Sequence, residues 1–163
     1  MQSAFLLAGT NLGDRNSNLD FALRSLENSG SLRAISSRFE TEPVGYREQP
    51  WFLNQAVELE TALTPFELLS LCQHIEFSCG RVRTFPDAPR TLDLDIVFFG
   101  NMVIREENLI IPHPRIAERR FVLTPLAQIA PEFIHPVLKK TVQALLENCP
   151  DSSEVRIHRR HPD

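Results

Sequence analysis

No apolar run in the chain is long enough to span a bilayer, which argues against a membrane partner. The opening, Met1-Gln2-Ser3-Ala4-Phe5-Leu6-Leu7, has no basic n-region and soon meets Gly9, so no secretion signal is expected. Cysteine is scarce. Cys72, Cys79 and Cys149 cannot all pair, and they read as reduced thiols of a cytoplasmic protein, without zinc-site spacing. The glycine-bearing turn Gly9-Thr10-Asn11-Leu12-Gly13 lacks the G-x-x-x-x-G-K-[ST] spacing, which excludes a Walker-type nucleotidase. Excess positive charge is missing too: the net charge of -4 argues against nucleic acid as a partner. No repeat, low-complexity tract or linker interrupts the 163 residues, so one domain is expected over 1–163, with about 151–163 a charged, mobile tail.

Lysine is absent from one stretch that is rich in arginine. Arg81, Arg83, Arg90, Arg105, Arg115, Arg119 and Arg120 surround His113 there. Arginine gathered in an acidic protein suits a small polyanion, whereas a merely solvated surface would mix in lysine.

The elements follow from pattern and punctuation. Ser3–Ala8 reads as a strand, and Asp14 as the N-cap of a helix carrying Leu19, Ala22, Leu23 and Leu26 to a stop at Gly30. Strands are predicted from about Leu32 to Thr41 and from Phe52 to Thr61, the latter bearing Asn54, an amide that needs partners if buried. Thr64-Pro65-Phe66-Glu67 is a capping box with proline at the first helical position. Leu68, Leu71, Cys72, Ile75 and Cys79 then give a core face, with Gln73 and Glu76 on a polar one. After a loop over Arg81–Pro89 comes a strand from Leu92 to Phe99, with Met102-Val103-Ile104 as its expected hairpin partner. Leu109 to Pro114 is extended. A helix over Arg115–Leu123, another beginning at Thr124-Pro125, and a last one carrying Val142, Leu145, Leu146 and Cys149 complete the chain. The order β-α-β-β-α-β with added C-terminal helices predicts a ferredoxin-like α+β fold.

Arg90-Thr91-Leu92-Asp93-Leu94-Asp95-Ile96 carries the chemistry. Alternate residues of a strand share a face, which places Asp93 and Asp95 side by side, about 7 Å apart along the backbone. Leu94, Ile96 and Phe98 are expected on the opposite face, with Val97 and Phe99 continuing the aspartate face. Two carboxylates so placed repel unless a cation sits between them, and a divalent metal is the natural one. A solvated strand end with Arg90 as counter-charge is the plainer alternative. Carboxylates, arginines and a polar crevice together fit metal-assisted phosphoryl transfer to an acceptor that brings its own hydroxyl.

That run, with Glu76 and Gly80-Arg81-Val82-Arg83 before it and Ile111-Pro112-His113-Pro114-Arg115 after it, resembles the 6-hydroxymethyl-7,8-dihydropterin pyrophosphokinases of folate biosynthesis. Ala8–Gly13 resembles the opening of that family and Phe52-Leu53-Asn54 its asparagine-bearing strand. The resemblance implies a magnesium-dependent transfer of diphosphate from ATP to the pterin hydroxymethyl group, with AMP released, by a monomer. It implies two magnesium ions on Asp93 and Asp95, with Arg83 and Arg90 completing the catalytic set. Thr41, Val44, Phe52, Asn54 and Phe121 would form the pterin pocket. Gln73, Glu76, Arg83, Arg90, Ile96, His113 and Arg119 would contact the nucleotide. For Phe52 and Phe121, core packing is the alternative; for Gln73 and Glu76, a solvated helix face. No protein general base is assigned, Asp95 being the one candidate.

The chain departs from the family pattern in Thr84-Phe85-Pro86-Asp87-Ala88-Pro89-Arg90, which lacks the usual tryptophan and glycine and gains an aspartate. Phe85 is the candidate replacement for the tryptophan as a stacking lid. Pro114 stands where an aromatic often follows the histidine, and Arg119-Arg120 replaces an Arg-Gly pair. The departures leave a non-catalytic nucleotide-binding module as the rival reading. A metal-dependent nuclease is a weaker one, disfavoured by the overall acidity.

Overall fold

The computed structural model describes residues 1–80, 87 and 89–159. At its centre lies β1 (Gln2–Thr10), buried from Ala4 onward on both faces, which is why its sequence shows an apolar run instead of alternation. β4 (Phe52–Thr61) and β5 (Asp93–Phe99) flank it, both antiparallel. β2 (Ser31–Ile35) and β3 (Phe39–Thr41) pair along the outer side of β4, and β8 (Val155–Ile157) closes on β3. The strand order is β5-β1-β4-β3-β8, with β2 also on β4. The chain is thus an α+β protein built on an antiparallel sheet.

Helices cover both faces of the sheet. On one, α1 (Arg15–Glu27) and α2 (Pro65–Ser78) press Leu19, Ala22, Leu26, Leu68, Cys72 and Ile75 against Leu6, Leu94 and Ile96. On the other, α3 (Arg120–Ile129) and α4 (Val142–Glu147) bring Val122, Leu123, Leu126, Val142 and Leu145 onto Phe5, Leu7 and Val97. The helix starts follow the sequence signals. Asp14 accepts a hydrogen bond from Ser17 N–H, and Thr64 and Glu67 cap one another reciprocally.

The structure corrects the expected elements in five places. The strand expected over Leu32–Thr41 is two strands, because the chain leaves the ladder between Ile35 and Phe39. There Ser36 Oγ takes the Ala56 N–H and Gln55 Nε2 donates to Ser36 O, so the gap is stitched by side chains. Met102 and Val103 do not pair with the aspartate strand; β6 (Ile104–Glu106) instead pairs with β7 (Leu109–Ile111) as a separate ribbon. Gly100, at φ 52, turns the chain away from β5. The two helices expected over Arg115–Leu123 and from Thr124-Pro125 are instead a 3-10 turn at Ile116–Glu118 and one helix, α3, that begins at Arg120, so Pro125 lies inside it instead of near a helix start. An interior proline costs about 3 kcal/mol, but burial of Val122, Leu123, Leu126 and Ala127 on one continuous face outweighs it.

β5 carries a register shift against β1, where Leu6 pairs with Ile96 but Phe5 with Phe98. The extra residue, Val97, swaps the faces beyond it: Phe98 joins the α3 side and Phe99 the α2 side, the reverse of strict alternation. The tail expected to be mobile is in part strand β8, which shields the edge presented by β3.

Candidate active site

Sheet register builds the site. Gly9 stands opposite Asp93 on one neighbour and opposite Asn54 on the other, so Asp93, Gly9 and Asn54 form one row across three strands. Directly paired residues project to the same face, and adjacent strands lie about 4.8 Å apart. Glycine in the middle leaves the floor between carboxylate and amide open. A Cβ on Gly9 would collide with Asn54 Oδ1. Asn54, almost wholly buried, donates from Nδ2 to Thr41 Oγ1 at 2.7 Å, so its Oδ1 is held toward Gly9.

Around that row opens a crevice of about 700 Å³, its mouth included, between the sheet and the start of α3. Thr41, Val44, Phe52, Asn54 and Phe121, the residues expected to hold the pterin, line it together with Arg90, Asp93, Asp95 and Arg119. The short loop between β3 and β4 contributes Val44, and the extended residue before α3 contributes Arg119. Arg90 donates to Asp93 Oδ2 at 3.2 Å and lies 5.1 Å from the Phe52 ring centre; Arg119 lies 5.7 Å from that of Phe121. The Arg90 guanidinium therefore sits between an aromatic face and the acidic floor, and that of Arg119 lies over the Phe121 ring. Arg90 is fixed from behind by Asn11, whose Oδ1 accepts from Arg90 N–H and whose own N–H donates to Arg90 O.

A second groove opens beside the first and is lined by Leu69, Ile96, Ile110 and His113. Asp95 borders both, so it stands where the two cavities meet. His113 N–H donates to Val97 O, which ties the segment after β7 to the middle of β5. Its imidazole Nδ1 accepts from Arg115 N–H at 3.4 Å, leaving Nε2 to carry the proton. Burial, with help from the Arg119 and Arg115 charges, pushes this histidine down to about 4, so at neutral pH it is an uncharged donor.

Two of the expected nucleotide residues lie apart from both cavities. Gln73 is exposed on α2. Glu76 is buried and accepts the Leu94 N–H at 2.8 Å, tying α2 to the strand that carries both aspartates. Arg83 and Phe85 lie outside the described residues. Arg115, Glu42 and Asp87 also line the first crevice. The arginine cluster hinted at Arg115, but nothing in the sequence marked Glu42, which enters only because β3 ends opposite Phe52 in the crevice wall.

The pair Asp93 and Asp95 offers hard oxygen donors at an open cavity wall. Among the described residues no group of three or more His, Cys, Asp or Glu converges as a closed metal cage. Two carboxylates facing open space fit magnesium that arrives with phosphate oxygens, since that ion keeps water or substrate in most of its coordination sites.

The comparisons agree with this geometry. A family profile described as 7,8-dihydro-6-hydroxymethylpterin-pyrophosphokinase (HPPK) matches residues 5–131. The chain is 49% identical over 128 residues to the 2-amino-4-hydroxy-6-hydroxymethyldihydropteridine pyrophosphokinase of Bacillus subtilis, covering 77% of each protein. It is 40% identical over 151 residues to the folic acid synthesis protein FOL1 of Dictyostelium discoideum, where it covers 93% of this chain but only 23% of FOL1. The crystal structure of wild-type Plasmodium falciparum HPPK-DHPS superimposes with a TM-score of 0.72 over 90% of this chain and 44% of that one, at 19% identity, a likeness of fold. The chain therefore spans less than a quarter of FOL1 and less than half of the Plasmodium protein. With the profile running across most of its length, this chain belongs to the 7,8-dihydro-6-hydroxymethylpterin-pyrophosphokinase family.

Proposed function

We propose that the chain transfers a diphosphoryl group from ATP to the hydroxymethyl oxygen of 6-hydroxymethyl-7,8-dihydropterin, a step of folate biosynthesis. The hydroxymethyl oxygen forms a bond to the β-phosphorus of ATP, the bond from that phosphorus to the AMP oxygen breaks, AMP leaves and the hydroxyl proton is released. The observation that carries this reading is the row Asp93–Gly9–Asn54, where an amide suited to a flat heterocycle faces a carboxylate pair across an open floor. Asn54, Thr41, Val44, Phe52 and Phe121 hold the pterin. Ile96 and His113 hold the nucleotide in the adjoining groove, and Arg90 and Arg119 bind its phosphates. Asp93 and Asp95 hold two magnesium ions, which when bound neutralise the phosphate oxygens. Positioning supplies most of the remaining barrier reduction. Glu76 supports β5 from behind.

The strand order, with β1 central between β5 and β4, supports a ferredoxin-like topology enlarged by α3, α4 and β8. No helix among the described residues is long and apolar enough to cross a membrane. We place the reaction in the cytoplasm, where ATP is abundant, and assign it to a monomer.

AMP formation from ATP and the pterin, measured with magnesium and then with EDTA, tests the reading. AMP is expected only when both substrates and the metal are present. Asp95→Asn, nearly isosteric, should lower that rate by at least about 100-fold with the fold intact. ATP binding without AMP release would instead make the chain a nucleotide-binding module.

A further inference from the structure

We infer that residues 151–158 form a strap that positions both walls of the pterin crevice, making Asp151 and Arg156 positioning residues for that substrate. The inference rests on the pterin reading above and goes beyond it, because these residues lie outside the family match, which ends at residue 131.

The strap touches one wall at the start of α3. Asp151 Oδ2 accepts from Arg120 N–H at 3.0 Å, while its Oδ1 accepts from Ser153 N–H. That bond satisfies a first-turn donor between Arg119 and Phe121, both of which line the crevice. Residue 119 has no side-chain cap of its own to do so.

The other wall is held by β8. Thr41 pairs with Val155 and Glu40 with Arg156, and Glu42 N–H donates to Glu154 O at 3.0 Å while Glu154 N–H donates to Glu42 Oε2. Thr41 is the residue whose hydroxyl orients Asn54. Behind this ladder, His158 Nδ1 lies 2.8 Å from Glu40 Oε1, and Glu40 grips Arg15 through two bonds of 2.7 Å. Arg15 donates onward to Trp51 O, and Arg156 stands 5.0 Å from the Trp51 ring centre. Trp51 immediately precedes Phe52 in the crevice wall. One short segment thus braces Thr41 and Phe52 on one side and Phe121 on the other. Neither set of contacts reaches the groove of Ile96 and His113. The β8 side should therefore govern pterin affinity and leave the nucleotide alone, whereas the Asp151 bond lies beside Arg119 and bears on the phosphates as well.

The test uses the full chain with Arg156→Ala and Asp151→Ala, beside Arg156→Lys and Asp151→Asn, which keep a cation and an acceptor. Arg156 is 63% exposed, so its loss leaves the core untouched. Each alanine variant should raise the KM for pterin about three- to tenfold, with the KM for ATP within about twofold in Arg156→Ala, and the conservative variants should recover most of the loss. Fluorescence of Trp51, the only tryptophan, should report the same weakening as a pterin Kd. With the unaltered chain active, an unchanged pterin KM in both alanine variants, or equal rises for both substrates in Arg156→Ala, overturns the strap alone. An unaltered chain that neither forms AMP nor binds pterin overturns the pterin reading and the strap with it.

Discussion

Gly9 shows how much of this site depends on one missing side chain. A methyl group there would meet Asn54 Oδ1, and since Asn54 is also tied to Thr41 the amide cannot swing aside without losing that bond. Gly9→Ala should weaken pterin binding at least about tenfold and lower stability by about 1–3 kcal/mol, as overpacking does. Titration of pterin against the variant and a denaturant melt measure the two effects. Cys72 illustrates the opposite case. Burial, reinforced by the Glu76 and Asp95 charges, pushes its thiol up to about 12, so it is core and takes no part in the chemistry.

Among the elements, β5 is the one on which the proposed reaction depends, and α2 holds its start in place. Glu76 reaches from the helix to the Leu94 N–H, between the two aspartates. Glu76→Ala would leave that buried donor without its acceptor, at a cost of about 1–3 kcal/mol. Because the loosened segment carries Asp93 and Asp95, turnover should fall together with the thermal midpoint. A variant with normal stability and normal turnover would show that the bond contributes to neither. The side-chain bond also changes what α2 is for: the polar face read from Gln73 and Glu76 is split, one residue exposed and the other buried under the sheet.

For the molecule as a whole, His113 links stability to pH. Its folded value of about 4 lies below the ordinary value near 6.5, so between those limits the unfolded chain binds a proton that the folded chain does not. This group therefore costs nothing above pH 6.5, and its penalty grows as pH falls, reaching on the order of 2–3 kcal/mol by pH 4. Denaturant melts between pH 7 and pH 4 should show that loss, and His113→Gln should flatten part of it. Activity over pH 6–8 should show no step from this histidine, because it is neutral throughout.

The caps at Asp14 and Thr64, the strand Phe52–Thr61 and the placement of Asp93 beside Asp95 were legible in the chain because each depends on near neighbours: a side-chain oxygen three residues from an N–H, or a two-residue period. The motif around Asp93, and with it the family, was legible for the same reason. The tertiary structure alone decided that Gly9 separates Asp93 from Asn54, because register between strands is set by the packing of whole faces. It alone revealed the bulge at Val97, the buried bond of Glu76 and the strand formed by Val155–Ile157. Those contacts join residues 18 to 118 positions apart, and no local pattern carries a bond whose partners meet only after the chain has folded.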